Sequence, residues 1–311
     1  MNAFRPSLDV SSWPRVSVEP GSRDASSWPV VGEEIRGQRE KHWVRAPDAT
    51  VWLRKRHRPA RPFEPAIEVL ALELARACYI EAAQATLATW TDAGGAPARG
   101  ICVLRFLQQN DELVAGYELL CAVDRAYDPE RREAHTLERV VHALRHHEGL
   151  TDHPLVEPFS RMLMFDAWIG NTDRHPGNWS LVRRDGSLRF APMYDPAGSL
   201  GAELQPDASL LLPSQSPSES ERHEVAHARY IARCPSGFGD GAKLVPLEAV
   251  VSAAAAARLL SASLLPTFET ALRERVPELL RTFADDALPA VRKRFIVDIL
   301  TRRLAWLKGM G

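Results

Sequence analysis

Asp173, His175 and Asn178 fall within six positions of the stretch GNTDRHPGNWS, residues 170–180, and Asp195 follows seventeen residues after Asn178. Phosphoryl transfer from ATP needs groups of these types. One carboxylate accepts the proton of the attacking hydroxyl, while an amide oxygen and a second carboxylate hold magnesium on the phosphates. Taken alone, Asp, Asn, Gly and Pro are what turns are made of. The segment between Asn178 and Asp195 changes that balance. WSLVRRDGSLRFAPMYD reads as two short strands around Asp185-Gly186, a hairpin turn. Asp-x-x-x-x-Asn, then a hairpin, then Asp is the plan of a kinase-like site.

Such a site needs a lysine on a strand and a helix glutamate to hold it. In VWLRKRH, alternation places Val51, Leu53 and Lys55 on one face and Trp52, Arg54 and Arg56 on the other. The next helix carries an apolar stripe of Ile67, Leu70, Ala71, Leu74 and Cys78, with Pro65 in its first turn. Glu68, at the edge of that stripe, is the candidate partner of Lys55. Glu64 is the runner-up, and Glu73 is expected in solvent. In RGQREKHWV, Gly37 and Lys41 bound a short polar loop whose backbone N–H groups could meet phosphates. It is neither a Walker loop nor G-x-G-x-x-G.

Those groups need two bodies. Residues 1–30 read as an arm, with Trp13 and Trp28 docking onto the rest. KHWVRAPDATVWLRK reads as two strands, RGICVLRF as a buried strand, and residues 31–115 together as a small mixed lobe. Residues 116–311 read as mainly helical, with two or three helices over 246–309. Residues 204–222 read as a Ser/Pro-rich loop.

The 311 residues suffice for a sizeable core, and 39 basic against 40 acidic residues do not mark a dedicated nucleic-acid binder. Cys78, Cys102, Cys121 and Cys234 are too dispersed for a zinc knuckle and read as buried thiols in a reducing cytoplasm. The N-terminal stretch has no signal-peptide core, and no apolar run is long enough for a membrane span.

With these residues assembled, the chain resembles the HipA-like serine/threonine kinases, within the protein-kinase-like superfamily. FDAWIGNTDRHPGNWSLV resembles the family's catalytic loop and leading helix, and LRFAPMYDPAGSLG its Tyr-Asp magnesium segment. GQREKHW resembles its phosphate loop, and VWLRK with EPAIEVLALELA its lysine strand and glutamate helix. DRHPGN is also similar to the catalytic loop of phosphoinositide kinases. The likeness spans roughly residues 30 to 310. It implies an α+β, bilobal protein-kinase-like fold with a small β/α N-lobe and a larger helical C-lobe.

Carried over by position, Asp173 is the base and His175 the loop organiser. Asn178 and Asp195 are the Mg2+ ligands. Lys55 with Glu68, Gly37, Lys41, and the hinge residues Phe106 and Gln108 meet ATP. A protein Ser/Thr hydroxyl is the implied acceptor, and an antitoxin-like protein the implied partner. The departures are the absence of serine between Glu33 and Lys41, which removes a regulatory autophosphorylation site, and Thr172 where many eukaryotic kinases have arginine before the base. The alternatives are a lipid or small-molecule kinase on the same scaffold, and a non-catalytic ATP-binding module. A nucleic-acid surface along Arg54–Arg61 is the weakest reading.

Overall fold

The computed structural model describes residues 22–33, 40–205, 208–211 and 216–310; Trp13 and Gly37 lie outside the described residues. A six-stranded sheet comes first. Its strands are β1 (Ser22–Asp24), β2 (Val30–Glu33), β3 (Lys41–Arg45), β4 (Val51–Arg56), β5 (Ala85–Thr91) and β6 (Pro97–Leu104). The order is β1-β5-β6-β4-β3-β2, antiparallel except for the parallel β1–β5 pair.

Both faces of this sheet are covered, so the period-2 pattern fills two cores. Ile101 and Val103 face one core and Cys102 the other. The second core holds Trp28, Val44, Trp52, Trp90 and Ala98. Trp28 docks as expected, its ring centroid 6.0 Å from that of Trp52. Each buried indole removes roughly 150–250 Å² from water, which makes this pair a main anchor of the outer strands.

The first core packs against α1 (Glu64–Ala77). Pro65 sits in its first turn, where a missing N–H costs nothing, and Arg76 closes its last turn. The stripe residues Ile67, Leu70, Ala71, Leu74 and Cys78 are all fully buried. The helix is nonetheless buried nearly all round, because sheet and helical lobe enclose it between them. That explains Glu73, which sequence places in solvent. Its side chain is only 16% exposed, and Arg76 pairs with it one turn on. Burial raises its carboxyl above the ordinary range.

The larger lobe begins with β7 (Glu112–Ala115), which pairs with β8 (Ser180–Arg184) rather than with the first sheet. The hairpin of β8 and β9 (Ser187–Phe190) forms as predicted, with Asp185 at φ 50° and Gly186 at φ 79°. Two successive left-handed residues match the twist of the strands.

The helices are α2 (Gly116–Val123), α3 (Leu137–Glu148), α4 (Val156–Ile169), α5 (Pro217–Ala232), α6 (Leu247–Ala256), α7 (Leu265–Thr270), α8 (Val276–Thr282) and α9 (Ala290–Lys308). The chain runs from α7 into α8 through a π turn over 271–275. Pro277, which has no N–H to donate, sits just beyond that widened turn.

Three expectations need correction. Residues 217–222 are not loop but the first turns of α5, whose N-cap Ser216 accepts from the N–H of Glu219 at 3.3 Å. A second hairpin, β10 (Pro235–Gly239) with β11 (Leu244–Pro246), interrupts the helical lobe. Cys121 is exposed, whereas the other three cysteines are buried. Among the described residues no helix is long and apolar enough to cross a membrane.

Candidate active site

Lys55 and Glu68 meet as their periodicities require. Lys55 Nζ donates to Glu68 Oε1 at 2.7 Å, with both side chains almost fully buried. Lys55 Nζ also lies 3.5 Å from Asp195 Oδ1, so one ammonium joins the small lobe to the segment after the hairpin. Gly100 packs against the backbone of Lys55. A Cβ there would sit 2.0 Å from the Lys55 carbonyl oxygen, so only glycine lets β6 pass that close to β4.

Asp195 is held at φ 53°. A left-handed aspartate is strained, and such strain is typical of functional turns. The segment is tied down on three sides. Met193 accepts from Ala83 and donates to Glu81, both at 2.8 Å. The Tyr194 hydroxyl donates to the Gly177 carbonyl at 3.0 Å and lies 2.6 Å from the Ser180 hydroxyl. Thr172 donates to the Gly198 carbonyl through its N–H and its hydroxyl, each at 2.9 Å. Burial pushes the Tyr194 phenol up to about 12, so it stays a neutral donor.

Within the loop, Asn178 Nδ2 donates to the Asp173 carbonyl at 2.9 Å, which leaves its amide oxygen outside that bond. His175 organises the turn locally, its Nδ1 accepting from the Gly177 N–H at 3.0 Å. Its Nε2 is 4.0 Å from Asp173 Oδ2, and burial lowers its pKa despite that neighbour. Asp173 itself is half-exposed, and Arg132 Nη2 donates to its Oδ1 at 3.3 Å.

The remaining candidates spread outward. Lys41 opens β3 as the cross-strand partner of Lys55. Phe106 stacks on Tyr194 with centroids 6.3 Å apart. Gln108 is exposed, and its N–H donates to Asp111 Oδ2 at 2.8 Å. The basic residues from Arg54 to Arg61 are engaged by partners within the chain. Arg54 lies over the Trp90 ring, Arg56 pairs with Asp92, and Arg58 and Arg61 both pair with Glu64.

The sequence pattern does not single out the residues that brace the loop. Arg174 is fully buried. Its Nε and Nη2 donate to the two oxygens of Asp166 at 2.7 and 2.9 Å. Its Nη1 donates to the carbonyls of Asn178 at 2.5 Å and Tyr194 at 3.1 Å. Burial works against the Arg174 cation, but Asp166 more than offsets it. Asn171 Nδ2 adds a bond to Asp166 Oδ1 at 2.9 Å. Behind the loop, a Cβ on Gly237 of β10 would meet the Arg174 backbone at 2.7 Å. That strand is fixed by His135, whose Nδ1 lies 2.9 Å from the Gly237 carbonyl and whose Nε2 accepts from Trp179 Nε1 at 3.3 Å.

A divalent cation fits this donor set. Among the described residues no three His, Cys, Asp or Glu side chains converge to hold a metal by themselves. One carboxylate and one amide oxygen suit magnesium, which draws its other ligands from phosphates and water.

A β-rich lobe and a helical lobe, bridged by a buried lysine that pairs with Glu68 in one and Asp195 in the other, define a protein-kinase-like fold. The chain belongs to the HipA-like C-terminal domain family, whose model matches residues 34–253. The crystal structure of the Helicobacter pylori proinflammatory kinase CtkA is similar at TM-score 0.69 and 15% identity, over 93% of this chain and 96% of that one. HipA of the Shewanella oneidensis MR-1 toxin–antitoxin system, solved with HipB and operator DNA, matches at TM-score 0.46 and 13% identity, over 91% and 68%. Comparison with curated protein sequences returns no significant match.

Proposed function

We propose that the protein is an ATP- and magnesium-dependent kinase of the HipA type, transferring the γ-phosphate of ATP to a Ser or Thr hydroxyl of a protein. The observation that carries this reading is the contact of Lys55 with both Glu68 and Asp195, opposite the loop of Asp173 and Asn178. Lys55, fixed by Glu68, holds the nucleotide phosphates. Asn178 Oδ1 and Asp195 hold magnesium, which supplies positive charge against the phosphate oxygens. Gly37 and Lys41 belong to the phosphate loop, and the chain from Phe106 to Gln108 lies at the adenine.

Asp173 accepts the acceptor's hydroxyl proton as that oxygen bonds to the γ-phosphorus and the bridging P–O bond to ADP breaks. Arg132 donates to Asp173 Oδ1, and the carboxylate's second oxygen can still receive the hydroxyl. His175 keeps the loop in shape. An antitoxin-like protein partner and a cytoplasmic location belong to the same reading, and the four free cysteines suit the latter.

The test is incubation with γ-labelled ATP, magnesium and cell lysate, comparing wild type with Asp173→Asn. The expected outcome is a labelled protein band with wild type. The variant should fold and bind ATP but transfer at least about 100-fold more slowly. Undiminished transfer by the variant would overturn the assignment of Asp173. Label appearing only in lipid or small molecules would replace the acceptor class.

A further inference from the structure

Glu68 is not the only glutamate of α1 that holds a cation from the chain leading into the helix. Glu64, one turn earlier, is almost completely buried and binds Arg58, three residues beyond Lys55. The grip is side-on. Arg58 Nε donates to Glu64 Oε2 at 3.1 Å and Nη2 to Oε1 at 2.5 Å. Arg61 Nη1 reaches the same Oε1 at 3.1 Å, so this carboxylate is matched by two guanidinium groups. A buried carboxylate facing two arginines is more than a helix N-terminus needs for capping, where a single exposed acid suffices.

The fork uses one edge of the Arg58 guanidinium and leaves Nη1 outside it. The Arg58 side chain is 44% exposed, so that amino group is not walled in. The guanidinium is also within electrostatic range of both carboxylates of the proposed transfer site. Its pKa is raised first by the Glu64 hydrogen bond, with Asp195 and Asp173 adding to the effect at longer range. Lys55, three residues earlier in β4, already reaches Asp195 at 3.5 Å. α1 thus holds two cations one turn apart, a buried ammonium at Glu68 and a part-exposed guanidinium at Glu64.

We propose that Arg58, positioned by Glu64, is a phosphate-contacting residue that binds the terminal phosphate of ATP. The proposal rests on the kinase reading above. Its chemistry is that of an arginine supplied in cis. As the γ-phosphate passes to the acceptor, negative charge spreads over its equatorial oxygens. A guanidinium fixed beforehand offsets that charge without having to reorganise. Lysine would be a poor substitute, because a single ammonium cannot keep a two-point bond to Glu64 and face a phosphate as well.

The experiment measures binding of ATP and of ADP, and transfer rates, for wild type, Arg58→Gln, Arg58→Lys and Glu64→Gln. Arg58→Gln should weaken ATP binding about tenfold while ADP binding changes less than about twofold, and should lower kcat about 100-fold. Arg58→Lys should fall between it and wild type. Glu64→Gln should show the same selective loss of ATP over ADP, to a smaller degree. Equal effects on ATP and ADP, or none, would mean that the pair merely supports α1, and would overturn the proposal. If Arg58→Gln does not fold, Arg58→Lys decides the question through its ATP-to-ADP ratio. Failure of the kinase reading shows separately, as wild-type protein that neither binds ATP nor transfers phosphate.

Discussion

Arg174 and Asp166 form a two-point ion pair that is 1% exposed on each side, joining the loop of Asp173 and Asn178 to the helix that precedes it. A buried pair of this kind costs much desolvation to form, and its loss is worse than its absence by design. Asp166→Asn keeps the shape but strands the guanidinium. It should lower stability by about 3–5 kcal/mol in urea unfolding. Transfer should fall as well, because Arg174 also fixes the carbonyls of Asn178 and Tyr194.

Lys55 and Glu68 separate function from stability. Lys55→Met should reduce transfer at least about 100-fold and leave Glu68 buried without its cation. The double variant Lys55→Met with Glu68→Leu should recover most of the lost stability and none of the transfer. A double-mutant cycle followed by thermal melting and labelled ATP checks both halves. Recovery of transfer in the double variant would remove Lys55 from the site.

Gly237 and Gly241 make a matched comparison. Both have left-handed backbones, φ 74° and 93°, but only a Cβ on Gly237 would strike the loop, at the Arg174 backbone. Gly241→Ala should cost about 1–2 kcal/mol of backbone strain and leave transfer unchanged. Gly237→Ala should cost more and should also slow transfer, since the Arg174–His175 backbone must shift. Melting temperatures and initial rates for the two variants decide it.

His135 predicts a pH dependence. Complete burial lowers its pKa from about 6.5 to about 4, against the raising effect of its bond to Gly237. The folded protein therefore keeps His135 neutral where the unfolded chain has begun to protonate it. Its contribution is complete above about pH 6.5 and is lost progressively down to about pH 4, by about 3 kcal/mol in all. Urea unfolding of wild type and His135→Gln across that range should show a steeper fall for wild type. Equal slopes would place the titration elsewhere.

Much of the site is legible before folding is considered. Asp173, His175 and Asn178 lie so close in sequence that turn chemistry alone brings them together, and Asp185-Gly186 sets the hairpin that returns the chain to Asp195. Lys55 and Glu68 are readable because a strand repeats every two residues and a helix every 3.6, and each falls beside an apolar face. α5 is harder to read, because only His227 and Ile231 among its residues are buried, so it lacks an apolar stripe. The local signs are Ser216 three residues before Glu219, a capping pattern, and Pro217 in the first turn, within a stretch that otherwise reads as loop.

The sequence by itself determined the catalytic-loop candidates and the lysine–glutamate pair, since each depends on spacing over a few residues, and its resemblance to the HipA-like kinases implied the fold class. Only the tertiary structure decided that Arg174 turns inward to Asp166 while its neighbour Asp173 faces Arg132. It also decided that Gly237, more than sixty residues downstream, sets the back wall of the loop, and that Arg58 is gripped by Glu64 rather than left in a basic run. The reason is physical. Whether a charge is buried depends on what long-range packing places around it, and no local pattern records that.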